Sequence, residues 1–451
     1  MRRFGKTVLV LLVSVLTMFN IYYWLLPLPI GMASELGLLN LELTDRDKVL
    51  VFAPHPDDES VGTAGIIQRA TEAGSTVKVV FVTCGDGFRH AAQRRLRVVR
   101  TNGNTMQELG KIRQVEAWSA LSLLGVLAEN VVFLGYPDRG LASLWQQNWS
   151  VNTTYCSPYT GVAVSPYCNG YTAEAAYCGQ VLLKDIEALL REEKPTVILF
   201  PSNYDGHPDH WATNAFVSYA LEELKLQGWQ FKPKVYNYLV HYTDWPRPWG
   251  ANLVQELGPP AGIAGESQWL TLWLSWSERI KKHNAILLHK SQVAVMQGFL
   301  TSFARSTELF HSYPSELILE PDEQTVLATD AHGDSLGDRL DRYTDITCLS
   351  GKLNDTELEL ALSLTGAVRS NVKCELELVV LGGNLPRQRL LLSYPAKELP
   401  SGITAKSEGN EILFTVPRSL LGKAPLLFVA AETYQGQMRA DRLCQIRVQL
   451  R

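Results

Sequence analysis

The stretch KVLVFAPHPDDES, Lys48 to Ser60, decides how this chain is read. Its first half is a short apolar run of the kind buried on both faces of a parallel sheet. Its second half crowds His55, Asp57 and Asp58 onto the end of that strand. Adjacent carboxylates repel, so the placement works against folding unless something positive binds there. Three similar runs follow, TVKVVFVT, NVVFLG and TVILFP, and each leads into a polar turn: CGDG, GYPDRG and SNYDGHPDH. Helical stretches at about 59–73, 109–124, 173–193 and 212–227 complete the pattern. Strand–helix alternation predicts an α/β fold with a mainly parallel, Rossmann-like sheet and helices on both faces. Ligands of such sheets bind beyond the carboxyl ends of the strands, where all the unusual polar clusters fall.

The 451 residues exceed one ordinary core, and 46% hydrophobic with 20% charged residues describes a globular chain. A net charge of −4 argues against a nucleic-acid partner. The one basic run, RRLRVVR at Arg94 to Arg100, reads as a solvated helix face near the active-site rim, with contact to an anionic substrate as the alternative. At the N-terminus Arg2, Arg3 and Lys6 precede TVLVLLVSVLTMFNIYYWLL, Thr7 to Leu26, long enough and apolar enough to span a bilayer. The alternative is a cleaved signal peptide. The flanking cations keep the N-terminus cytoplasmic, so the expectation is a single-pass cell-membrane protein whose remaining residues are extracytoplasmic.

Beyond residue 310 the pattern changes to period-two alternation, as in ELELALSL (Glu357–Leu364) and EILFTV (Glu411–Val416), which predicts a β-sandwich. The expected organisation is an anchor at 1–30, a catalytic domain at 31–315 and a β-rich accessory domain at 316–451. The accessory domain is either a carbohydrate-binding tether or a structural spacer. Within the catalytic domain, the aperiodic segment Gln146 to Tyr171 reads as a long loop near the site, a lid or substrate wall. Cys156, Cys168 and Cys178 cluster in and after it, and an oxidising compartment would allow two of them to bridge. The acidic run Asp330, Asp334, Asp338, Asp341 and Asp345 lacks EF-hand spacing and reads as a solvated loop, with calcium binding as the alternative.

A catalytic zinc takes three protein donors, usually imidazole and carboxylate, and keeps one position open. His55 and Asp58 lie in one turn and His210 follows the fourth apolar run, so the three are the predicted metal ligands. Asp57 is then free to take a proton as general base. His207, three residues before His210, faces the same cavity and is placed to polarise a carbonyl, steady an oxyanion and protonate a leaving amine. Asp209 is expected to orient His207. His241, in YLVHYTDWP, follows the next strand and either enters the cavity or is a buried, hydrogen-bonded histidine.

HPDDE with a distant HPDH resembles the PIG-L/LmbE-like deacetylases, metal-dependent enzymes that remove acetyl from N-acetylglucosamine conjugates. The resemblance runs from about Lys48 to Phe310. It implies His55, Asp58 and His210 as ligands of Zn2+, with Fe2+ as the alternative metal. It also implies Asp57 as base, His207 as electrophilic acid, and Arg113 and Asp138 as contacts to sugar hydroxyls. Cys84, after the second strand, is either a thiolate near the metal or a neutral packing residue. The expected function is removal of the N-acetyl group from an N-acetylglucosamine-type sugar in an exported glycan or glycoconjugate. The alternatives are a thiol–sugar conjugate amidase of the same family and a glycan-binding surface protein with a vestigial metal site.

Overall fold

The computed structural model describes residues 36–451 except 266, 331–342, 383–386, 397–398 and 423. Thr7–Leu26 therefore lies outside the described residues, as do Asp334, Asp338 and Asp341 of the acidic run. Among the described residues no helix is long and apolar enough to cross a membrane.

Eight strands form the first sheet: β1 (Gly37–Leu38), β2 (Lys48–Ala53), β3 (Thr76–Thr83), β4 (Val131–Tyr136), β5 (Val197–Pro201), β6 (Lys234–Tyr238), β7 (Trp269–Trp273) and β8 (Thr307–Ser312). Their order is β1-β7-β8-β6-β5-β2-β3-β4. All run parallel except β8, which pairs antiparallel with β6 and β7. β2 shows why its sequence is apolar throughout. Val49, Val51 and Ala53 pack into the core on one face, while Leu50 and Phe52 pack into the core on the other. The first core is closed by helices Ala64–Glu72, Gly103–Leu124 and Trp276–Leu288. The second is closed by Gly179–Glu193 and Pro208–Leu226. Burial on both sides removes any need for alternation.

Helix boundaries differ from the expected ones for local reasons. The stretch predicted at 109–124 begins at Gly103, because Asn102 and Thr105 form a reciprocal cap. The stretch predicted at 59–73 breaks at Thr63, whose φ of −136° separates Asp58–Gly62 from Ala64–Glu72.

The remaining residues form two five-stranded sheets. One comprises β10 (Gln324–Thr329), β11 (Ile346–Leu353), β12 (Glu357–Leu364), β15 (Thr404–Glu408) and β16 (Glu411–Pro417). The other comprises β9 (Leu317–Leu319), β13 (Val372–Leu381), β14 (Gln388–Tyr394), β17 (Leu426–Gln435) and β18 (Met438–Leu450). Leu358, Leu360, Leu362 and Leu364 of β12 meet Leu376, Leu378, Leu427 and Val429 of the other sheet in one apolar core. The outward residues at the ends of β13 and β17, Val379, Leu381, Leu426 and Phe428, instead join the core beneath helix Pro208–Leu226.

The segment 146–171 is not a wall of the cavity described below, and none of its residues lines it. It lies along the β4 edge, where Gly170 bridges to Phe133 and the Tyr167 hydroxyl donates to Asp86 at 2.7 Å. Cys156, Cys168 and Cys178 are all free thiols, and they form no metal-holding group among the described residues. Cys84 is a buried packing residue: its sulfur accepts from the Gln114 amide at 3.0 Å, and burial holds the thiol far above its usual range.

Candidate metal centre

The carboxyl ends of β2, β4, β5 and β6 deliver His55, Asp138, Asp205 and His241 to one edge of the sheet. The helix beginning at Pro208 adds His210 one turn in, with its capping residue His207 in extended conformation (φ −77°, ψ 131°). Proline at the first helical position costs no hydrogen bond and fixes the turn.

Three donor atoms converge. His55 Nδ1 and Asp58 Oδ2 are 3.3 Å apart, Asp58 Oδ2 and His210 Nε2 are 3.3 Å apart, and the two ring nitrogens are 3.3 Å apart. A tetrahedral ion with bonds of about 2.0–2.1 Å separates its donors by about 3.3–3.4 Å. The triangle therefore fits a small divalent cation. The charge balance points the same way. Asp57, Asp58, Asp138, Asp205 and Asp209 are all buried around this point, and Arg113 is the buried guanidinium among them. Burial alone would lower His210, yet the Asp205 and Asp58 carboxylates raise it to about 10. The site demands positive charge.

Each donor ring is braced from behind. His55 Nε2 donates to Asp209 Oδ2 at 3.0 Å and lies 3.3 Å from Asp138 Oδ1. His210 Nδ1 donates to Asp205 Oδ2 at 3.0 Å. These contacts turn His55 Nδ1 and His210 Nε2 toward the centre. Asp205 is itself fixed by the backbone N–H groups of Val240 and His241, both at 3.0 Å. Three overlapping donor groups, His55–His207–His210, Asp58–His210–His241 and His55–Asp138–Asp209, also lie close enough to hold an ion, and each includes His55 or His210.

Asp209 thus does not orient His207 through its carboxylate, as the sequence suggested. Its side chain crosses to His55 and accepts from the backbone of Arg139 and Leu141. What His207 receives is the Asp209 backbone N–H, donated to Nδ1 at 3.2 Å. Burial, and then the neighbouring imidazoles, keep His207 well below the usual histidine range. An Nδ1 that accepts this N–H leaves Nε2 to carry the proton of a neutral ring.

Asp57 stands beside the triangle with φ of 145°, a conformation few side chains adopt. Glu59 Oε2 accepts the Asp57 backbone N–H at 2.9 Å, and Glu59 Oε1 accepts from Ser60 Oγ at 2.6 Å and His289 Nε2 at 3.0 Å. This buried network holds the strained turn in place, and Glu59, Asp205 and His289 join the predicted residues as parts of the site. The motif YDGHPDH did carry a signal for Asp205, an acid two residues before the first histidine. Burial pushes the Asp57 carboxyl up to about 6, against the pull of Arg113 Nη2 at 3.2 Å. Arg113 also donates to the carbonyls of Gly85 and Pro56 at 3.0 and 2.8 Å, so its Nη groups serve the loop around Asp57. Asp138 accepts the Gly87 backbone N–H at 2.7 Å.

Above the triangle lies a cavity of about 160 Å³. Asp57, Arg113, Asp138, His207 and His241 all line it, and Met296, Phe299 and Leu300 close the far side. His241 enters the cavity wall with its ring stacked on Phe299 at 5.3 Å and 13°. Burial and then His210 lower it to about 4.

A cation-binding donor set at the carboxyl edge of a parallel sheet, with a carboxylate beside it in a small cavity, is the arrangement of a mononuclear metal-dependent hydrolase. Residues 50–221 match the family model described as "PIG-L: GlcNAc-PI de-N-acetylase", and the chain carries a PIG-L domain there. Over 189 residues it is 29% identical to the 1D-myo-inositol 2-acetamido-2-deoxy-alpha-D-glucopyranoside deacetylase of Mycobacteroides abscessus, covering 41% of this chain and 58% of that one. It is 27% identical over 176 residues to the diacetylchitobiose deacetylase of Thermococcus kodakarensis, covering 38% and 48%. The chain thus spans about half the length of these curated relatives. A solved structure of N,N'-diacetylchitobiose deacetylase from Pyrococcus horikoshii aligns with 59% of this chain and 84% of its own at 19% identity and a TM-score of 0.38.

Proposed function

We propose that this protein is a metal-dependent N-deacetylase that removes acetyl from an N-acetylglucosamine-type sugar in an exported glycan or glycoconjugate. The observation that carries the reading is the 3.3 Å triangle of His55, Asp58 and His210 with Asp57 poised beside it. His55, Asp58 and His210 would hold the ion, Zn2+ or Fe2+, which supplies Lewis acidity toward an amide carbonyl and toward water. Asp57, at about 6, takes a proton from the attacking water at neutral pH. His207 Nε2–H donates to the acetamide oxygen as negative charge builds there. As the C–N bond breaks, Asp57 returns its proton to the departing amine. A neutral His207 makes Asp57 the better source of that proton. Asp138 and His241 line the cavity where the sugar hydroxyls would lie, whereas Arg113 serves chiefly to set Asp57.

Export is supported by the charge asymmetry around Thr7–Leu26.

The test is acetate release from N-acetylglucosamine oligomers by the metal-loaded protein. Binding without acetate release would favour the glycan-binding alternative, and turnover restricted to thiol-linked sugars would favour the amidase. A second measurement addresses the bracing of the donors. Asp209→Asn and Asp205→Asn are each expected to weaken metal retention about 10–100-fold in competition with a chelator. Wild-type retention in both variants would contradict the brace.

A further inference from the structure

The cavity of about 160 Å³ is smaller than the roughly 300–1,000 Å³ of sites that enclose a whole drug-sized ligand. A cavity of that size cannot enclose an oligosaccharide, so further rings would lie outside it. Phe299 of the cavity lining is in ring contact with Trp249, and Arg247 lies over that indole. Trp249 is 49% exposed, yet its surroundings are fixed. The Gly250 N–H donates to the Gly298 carbonyl at 2.8 Å, and Arg305 Nη2 donates to the Pro248 carbonyl at 2.6 Å. The indole meets Phe299 at 6.3 Å and 79°. Since Phe299 stacks on His241, a run of rings leads from the donor cluster to the surface.

The Arg247 guanidinium carbon lies 4.2 Å from the indole centroid, and its Nε donates to Asp244 Oδ2 at 3.2 Å. With the guanidinium on one face and Phe299 beside it, the tryptophan still leaves half its area in water. Isolated exposed aromatics are common and need no ligand. This one is anchored on both sides, adjoins a cavity too small for an oligosaccharide, and has hydrogen-bond donors beside it.

We infer that Trp249 and Arg247 form a subsite for the second ring of an oligosaccharide whose acetamido sugar occupies the cavity. The C–H face of a pyranose packs against the indole, and its hydroxyls accept from the guanidinium. Asp244 balances the charge of Arg247, so the subsite suits a neutral sugar rather than a phosphate. The inference rests on the deacetylase reading above.

The test uses the full, metal-loaded chain with N-acetylglucosamine and N,N'-diacetylchitobiose as substrates. Trp249→Ala should raise KM for the disaccharide about tenfold or more, as loss of an aromatic anchor does. It should leave kcat for the disaccharide and KM for the monosaccharide unchanged, and Trp249→Phe should restore most of the loss. Equal effects on both substrates, or none on the disaccharide, would overturn the subsite. Calorimetric binding of N,N'-diacetylchitobiose to wild type and Trp249→Ala separates this outcome from failure of the deacetylase reading. Weaker binding by the variant supports the subsite even without turnover, and equal binding or none by wild type overturns it.

Discussion

Asp57→Asn is expected to reduce acetate release by about 10²–10⁴-fold with metal content unchanged at one ion per chain. The substitution keeps the size and shape of the side chain but removes its proton-accepting ability. It leaves His55, Asp58 and His210 untouched, so the donor triangle survives. The backbone should survive as well, because what holds φ at 145° is the Asp57 N–H bonded to Glu59, and asparagine keeps that N–H. The neighbouring Asp58→Asn variant should behave differently, losing metal and activity together. Acetate release and metal analysis on the two purified variants check both statements. Near-wild-type turnover in Asp57→Asn would remove the general base from the mechanism.

The contrast between these neighbours was largely legible in the sequence, because HPDD and HPDH each follow an apolar run and fall on one sheet edge. The bracing was less legible. Asp209 sits within reach of both His55 and His207, and sequence spacing favoured the closer one. The first turn of the helix at Pro208 decides otherwise, aiming the Asp209 N–H at His207 and its carboxylate across to His55. Glu59 and His289 are 230 residues apart, so only folding reveals that together they hold Asp57. The segment at 146–171 lacks periodicity because it follows the sheet edge through turns and isolated bridges, and composition alone cannot say which side of the site it flanks.

The β-rich region held a signal of the same kind. Its strand ELELALSL alternates, and each leucine faces a single core. LLFVAA at Leu426–Ala431 does not alternate, and all six residues are buried. An unbroken run in an otherwise alternating domain marks a strand covered on both faces. Phe428 accordingly leaves its own sheet to meet Trp145 and Tyr219 at 6.4 and 5.6 Å. Arg387 lies over Trp145 and Trp149 at 4.3 and 4.0 Å, and Arg447 pairs with Glu222 of helix Pro208–Leu226.

Removing Glu316–Arg451 should therefore do more than detach a tether. Trp145, Phe216 and Tyr219 share a core with Phe428 and would lose that cover. Trp149 still packs on all three, so about 1.5–3 kcal/mol for each large apolar side chain fully returned to water sets an upper bound of about 9 kcal/mol, within the range of a typical domain's whole stability. The exposed helix is the one that presents His210, so metal retention should fall with stability. The truncated protein is expected to aggregate or unfold at ordinary temperatures. Phe428→Ala in the full chain should cost about 3–5 kcal/mol in denaturant unfolding. A truncated protein that unfolds cooperatively at the wild-type midpoint and keeps its metal would show that the two cores are energetically independent, and would restore the tether reading of the β-rich region.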